Sequence, residues 1–153
     1  MKVLICTDGS TSSTAGIKCA LEVLGKEHEY TLLFVLSEEG IYRRYKETFE
    51  EDLARIEKLF GDPDPEKAAA REIFLRPLQD YMSQAGFKTT PKVREGSVVS
   101  EILAEIDEEQ YAVTVLSDGK ISLMKLLPGS TLHEIVQNTK KCILLARPPS
   151  HSE

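Results

Sequence analysis

Two short polar corners hold the residues of this sequence best suited to chemistry: Asp8-Gly9-Ser10, following Thr7, and Ser117-Asp118-Gly119, following Leu116. Each ends an apolar run, and each carries a glycine, which lets main chain come close to a ligand where a Cβ would stand in the way. The second corner continues through Lys120 and Lys125 to Gly129-Ser130-Thr131, at the head of a helical stripe. A helix start presents unpaired N–H groups and the positive end of the helix dipole, and so suits a phosphate. Anion binding by backbone amides is the chemistry these corners offer. Plainer roles compete with it. Asp8-Gly9 is also an ordinary turn pair, Thr131 with Glu134 makes a capping box, and surface exposure is the default for Lys120 and Lys125.

Other chemistries lack their residues. The sequence has no GxxxxGK[ST] loop and no GxSxG elbow, and no second carboxylate partners Asp8 locally. His28, His133 and His151 are scattered without ligand spacing, so no metal is expected. With no set of nucleophile, base and oxyanion donors, an efficient enzyme is disfavoured. Cys6, Cys19 and Cys142 form no CxxC pair and stand among apolar neighbours, which predicts reduced, buried thiols.

The elements that must position the corners follow from periodicity. Val3 to Cys6 and Cys142 to Ala146 are continuous apolar runs, and Tyr30 to Leu36 and Ala112 to Leu116 are apolar apart from one threonine each, the pattern of strands buried on both faces. Thr89 to Arg94 alternates and contains Pro91, which marks an edge strand. Between them run helical stripes: Ile17, Leu21 and Leu24, with N-caps offered by Ser12, Ser13 and Thr14; Phe49 to Phe60; Phe74 to Ala85; Val98 to Ile106; and Leu132, Ile135 and Val136. Pro77 kinks the third stripe or starts a helix near it. Gly25 and Gly86 are natural terminators.

Strands alternating with helices imply βαβ units, and hence an α/β fold: a three-layer open parallel five-stranded sheet, order 3-2-1-4-5. In that order the loops after the first and fourth strands part, leaving the crevice where ligands bind in open sheets. Residues 38–88 exceed what one crossover helix needs and are the segment expected to carry a contact surface. The fifth strand, apolar yet at the sheet edge, needs a cover. Pairing through Cys142–Ala146 with a second copy, making a homodimer, is the simplest one.

With 153 residues, the chain is expected to form one domain over 1–148 with a tail at 149–153. Its apolar runs fall far short of the ~20 residues of a membrane span, and no apolar segment with a basic leader opens it. It is expected to be cytoplasmic and free of membrane. A net charge of −6 opposes polyanion binding, so nucleic acid is not an expected partner.

At these residues the chain resembles the universal stress proteins, UspA-like proteins with an adenine-nucleotide alpha-hydrolase-like (Rossmann-like) fold. The likeness lies in the apolar strand running into Asp8-Gly9-Ser10, in Val93-Arg94-Glu95-Gly96, and above all in Gly119, nine residues, then Gly129 and Ser130. The family's nucleotide-binding pattern is G, two residues, G, nine residues, G, then Ser or Thr. The resemblance implies ATP or a related adenine nucleotide, with or without Mg, bound for stress-response regulation with at most slow hydrolysis. It places Asp8 near the base, the Gly119 loop along ribose and phosphates, and Gly129, Ser130 and Thr131 on phosphate oxygens; Thr7, Gly9, Leu116, Asp118 and Lys120 complete the candidate nucleotide-binding set. The first motif glycine is replaced by Leu116. A nucleotide-independent dimeric interaction module, its pocket closed by Leu116, is the alternative.

Overall fold

The structure is a computed structural model that describes residues 1–37, 65–117 and 131–147. Its strands are β1 (Lys2–Cys6), β2 (Glu29–Leu36), β3 (Lys88–Glu95), β4 (Val113–Ser117) and β5 (Ile143–Ala146). All pairings are parallel, in the order β3-β2-β1-β4-β5. This is the sheet that the apolar runs predict, with β3 and its Pro91 at one edge and β5 at the other.

Side chains alternate across the sheet, so each strand feeds two cores. On one face Val3, Ile5, Leu32, Phe34 and Val115 pack against α1 (Thr11–Leu24), α2 (Pro65–Ala70) and α3 (Arg76–Gln84). On the other, Leu4, Cys6, Leu33 and Leu116 pack against α4 (Val98–Glu108) and α5 (Thr131–Asn138). Among the described residues no helix is long and apolar enough to cross a membrane.

Pro77 is accommodated without ending the helical path. Between α2 and α3 the chain makes a π-helical turn, Arg71–Leu75, in which the Arg76 N–H donates to the Arg71 carbonyl, and Pro77 follows in the first turn of α3. A proline has no N–H to give and its ring crowds the carbonyl four residues back, so the wider turn just ahead of it absorbs the mismatch. Gly25 and Gly86 end α1 and α3 at φ +84° and +94°.

Three details differ from the sequence reading. Ser10, rather than Ser12, Ser13 or Thr14, caps α1, its Oγ accepting from the Ser13 N–H. Val136 is exposed beside buried Leu132 and Ile135, because α5 presents only one side to the sheet. Cys19 and Cys142 are exposed, and only Cys6 is buried; Cys19 lies on the outer side of α1, and Cys142 stands just ahead of β5. The Phe49 to Phe60 stripe lies outside the described residues, as does the tail.

Candidate functional site

The β1–α1 corner is held by its own short side chains. The Thr7 N–H extends the β1–β2 ladder to the Leu33 carbonyl at 3.0 Å. The buried Thr7 hydroxyl accepts from the Gly9 N–H at 3.0 Å and meets the Ser13 hydroxyl at 2.9 Å. One Asp8 carboxylate oxygen accepts from the Ser10 N–H at 2.9 Å, an Asx turn, and Ser10 then caps α1. Asp8 itself remains exposed.

Gly9 is the residue this corner cannot exchange. Its φ is +79°, and a Cβ there would stand 2.8 Å from Cδ1 of Phe74. Phe74 comes from the π-helical turn and stacks on Phe34, with ring centroids 4.5 Å apart and planes 12° from parallel. The segment after β2 thus lays an aromatic ring directly on the β1 corner.

The end of β4 meets the same corner. Ser117 Oγ donates to the Ser13 carbonyl at 2.9 Å, so Ser13 joins Thr7 on one side to Ser117 on the other. The loops after β1 and β4 therefore start from one hydrogen-bonded junction at the carboxyl ends of the strands. The sequence reading places Ser117 in the second corner and Ser13 among the N-cap candidates, but it misses the bond that joins them. A serine inside the first turn of a helix looks like a capping residue, and only the tertiary contact reveals the bridge.

The Leu116 side chain turns to the opposite face and is buried with Leu4, Cys6 and Ile102 under α4 and α5. Burial first, and then the nearby charge of Glu105, push the Cys6 thiol up, away from thiolate chemistry. Thr131 opens α5. Asp118, Gly119, Lys120, Lys125, Gly129 and Ser130 lie outside the described residues, so the phosphate half of the site rests on the sequence. Among the described residues no group of three His, Cys, Asp or Glu could hold a metal.

The comparisons with known proteins agree on one family. Its sequence model, described as "Universal stress protein family", matches residues 1–147. A universal stress protein crystallised in complex with cAMP superposes with a TM-score of 0.62 at 16% identity, over 97% of this chain and 98% of that one. A family protein from Arabidopsis thaliana with AMP bound gives 0.66 at 13% identity, over 98% and 93%. A universal stress protein from Lactobacillus plantarum gives 0.66 at 16%, over 96% and 97%. At such identities the structural likeness carries the fold. No curated protein sequence matches the chain significantly.

Proposed function

Because this chain belongs to the universal stress protein family, we propose that it binds an adenine nucleotide, ATP or a relative of it, at the crevice between the β1 and β4 corners. The observation that carries the reading is the junction at Ser13. It draws both corners together at the point where the strand order reverses, the place where open parallel sheets take their ligands. Two structural neighbours crystallised with cAMP and AMP support the choice of ligand class.

The residues suit such a guest in a definite orientation. Asp8 is a carboxylate and repels phosphate, so it faces the base or ribose, where it can accept from an amine or hydroxyl. Phosphate oxygens lie toward Gly129, Ser130 and the start of α5, where backbone N–H groups and the helix dipole are on offer. Mg would lessen the repulsion of Asp118. No nucleophile or base is assigned, so the useful event is occupancy: binding changes a surface that partners see. The setting is a stress response in the cytoplasm.

The protein acts as a homodimer in this proposal, joined through β5. Among the described residues that strand pairs only with β4, and its Ile143, Leu144 and Leu145 are half-buried. Sedimentation of the parent against Leu145→Lys tests the pairing, with the variant expected to be monomeric; a monomeric parent overturns it.

Calorimetry with Mg-ATP and AMP, together with mass spectrometry of small molecules released on denaturation, tests the nucleotide reading. Saturable heat that Gly129→Val abolishes supports it. A protein that is released empty and shows no heat overturns it in favour of the nucleotide-independent interaction module.

A further inference from the structure

We propose that the amino-terminal end of the sheet, on its α4 face, is a second ligand site that takes a small zwitterion of the α-amino-acid class. A cavity of about 400 Å³ opens there, at the opposite end of the strands from the nucleotide crevice. That volume lies in the ordinary range for small-molecule sites.

The sequence makes this end of the face polar where a covered sheet is normally apolar. Every residue of β3 on the α4 face, Lys88, Thr90, Lys92 and Arg94, carries a polar head. Inward-pointing charges on an edge strand also guard against edge pairing, but the polarity does not stop at the edge. β2 is an inner strand, and it adds Glu29 and Thr31, in register with Lys88 and Thr90. Lys2 of β1 is in register with Glu29, so three neighbouring strands begin with a plus, minus, plus row.

The floor of the cavity is built. The Glu105 side chain is 0% exposed and both its oxygens are engaged: Oε1 accepts from Lys92 at 2.7 Å and from Arg94 at 3.0 Å, and Oε2 from the Tyr111 hydroxyl at 2.6 Å. Glu105 is therefore no acceptor for a guest. Its work is to fix the Lys92 ammonium and the Tyr111 ring in place. An ammonium has three donors, and Lys92, still 38% exposed, keeps two to give.

Lys88 and Glu29 supply the recognition. Both line the cavity, and among the described residues neither has an ion pair. Glu109, at the rim, is held by Lys2 only at 3.3 Å, with both groups nearly half exposed. A simple anion drawn to Lys88 and Lys92 meets the repulsion of Glu29 and Glu109, and a simple cation meets the reverse. A molecule with a carboxylate and an ammonium a few bonds apart satisfies both: carboxylate to Lys88 and Lys92, ammonium to Glu29 and Glu109.

The test is calorimetry on the full chain with the set of proteinogenic α-amino acids, and with acetate and methylammonium as single-charge halves. At least one amino acid is expected to give saturable heat, with each half at least about tenfold weaker. Lys88→Ala and Glu29→Gln, both at exposed positions, are each expected to weaken binding about tenfold, the loss of one hydrogen bond to a charged group. Saturating Mg-ATP should leave the affinity unchanged, which separates this site from the nucleotide crevice. No saturable heat from any amino acid at about 10 mM, where a Kd of ~1 mM would show, overturns the proposal. So does acetate binding as tightly as the amino acid, or an affinity that either variant leaves unchanged.

Discussion

Gly9→Ala isolates the contact between the candidate nucleotide corner and the segment that follows β2. At φ +79° an L side chain costs about 1–2 kcal/mol. The added methyl would then lie 2.8 Å from Phe74 Cδ1, well inside the ~3.5–4.0 Å of a carbon contact. Phe74 is 8% exposed and stacked on Phe34, so it has little room to yield, and overpacking of this kind costs about 1–3 kcal/mol. The sum is about 2–5 kcal/mol, from which the stiffer unfolded chain returns roughly 0.4–1 kcal/mol. Gly25→Ala is the control. Its φ of +84° and ψ of −177° also belong to glycine, yet nothing lies within 4 Å of its Cβ position. Urea unfolding should therefore show Gly9→Ala about 1–3 kcal/mol worse than Gly25→Ala, the packing share alone. Phe74→Leu should recover part of that difference in the double variant. Equal losses at the two glycines, with no recovery from Phe74→Leu, would refute the reasoning.

Glu105→Gln reads the network that ties β3 to α4. Burial raises the Glu105 carboxyl, but hydrogen bonds from Lys92, Tyr111 and Arg94 outweigh it and hold the group below the usual range. The folded pKa thus lies below the unfolded value of about 4.3, so the stabilisation is complete above that value and fades as pH falls through the folded pKa. The variant should lose about 2–3 kcal/mol near neutral pH, and the gap to the parent should shrink below about pH 4; a gap that does not change with pH would contradict this. Leu116→Gly should lose about 3–6 kcal/mol, from a buried leucine and a glycine in a strand. A loss under about 1 kcal/mol would mean the side chain is not packed where α4 and α5 meet the sheet. A thiol reagent should modify exposed Cys19 and Cys142 in the folded protein and reach Cys6 only on unfolding. Equal rates at all of them would count against the buried, pKa-raised Cys6.

The sheet was legible because β1, β2, β4 and β5 are each built on a mainly apolar run, the pattern of strands covered on both faces. The crevice was legible for the same reason, since strand order alone says which loops part. What stayed hidden is tertiary. Ser13 and Ser117 are ordinary polar residues until β4 lies beside β1, and their sequence separation leaves no local trace. Leu116 stands at a motif position, which invites reading its side chain as part of the ligand pocket. Strand alternation instead assigns it to the face opposite α1 once the register with Cys6 is known. In the sequence Phe74 is one member of a helical stripe, and the π-helical turn that delivers it to Gly9 has no simple residue signature beyond the nearby Pro77.

The charged side of β3 shows how a pattern can be read correctly and still be given too small a meaning. Alternation with Pro91 identifies an edge strand, and for an edge strand polar residues need no further reason. In a three-layer fold, however, both faces are covered, so Lys92 and Arg94 point at a helix and need counter-charges there. The helix supplies them at matching spacing: Glu101, Glu105 and Glu108 share one face of α4, and Arg94 reaches all of them at 2.8 to 3.0 Å. With Glu105 four positions after Glu101 and Glu108 three after Glu105, that face could have been paired with β3 from the sequence alone. The same logic says where the pairing ends. α4 stops at Glu108, Glu109 turns to Lys2, and among the described residues no acid of the helix pairs with Lys88. Lys88 and Glu29, in register with each other but among the described residues in no ion pair, stand beside a carboxylate already held by Lys92, Arg94 and Tyr111, and mark where the fold's own bonding stops and recognition of a separate molecule can begin.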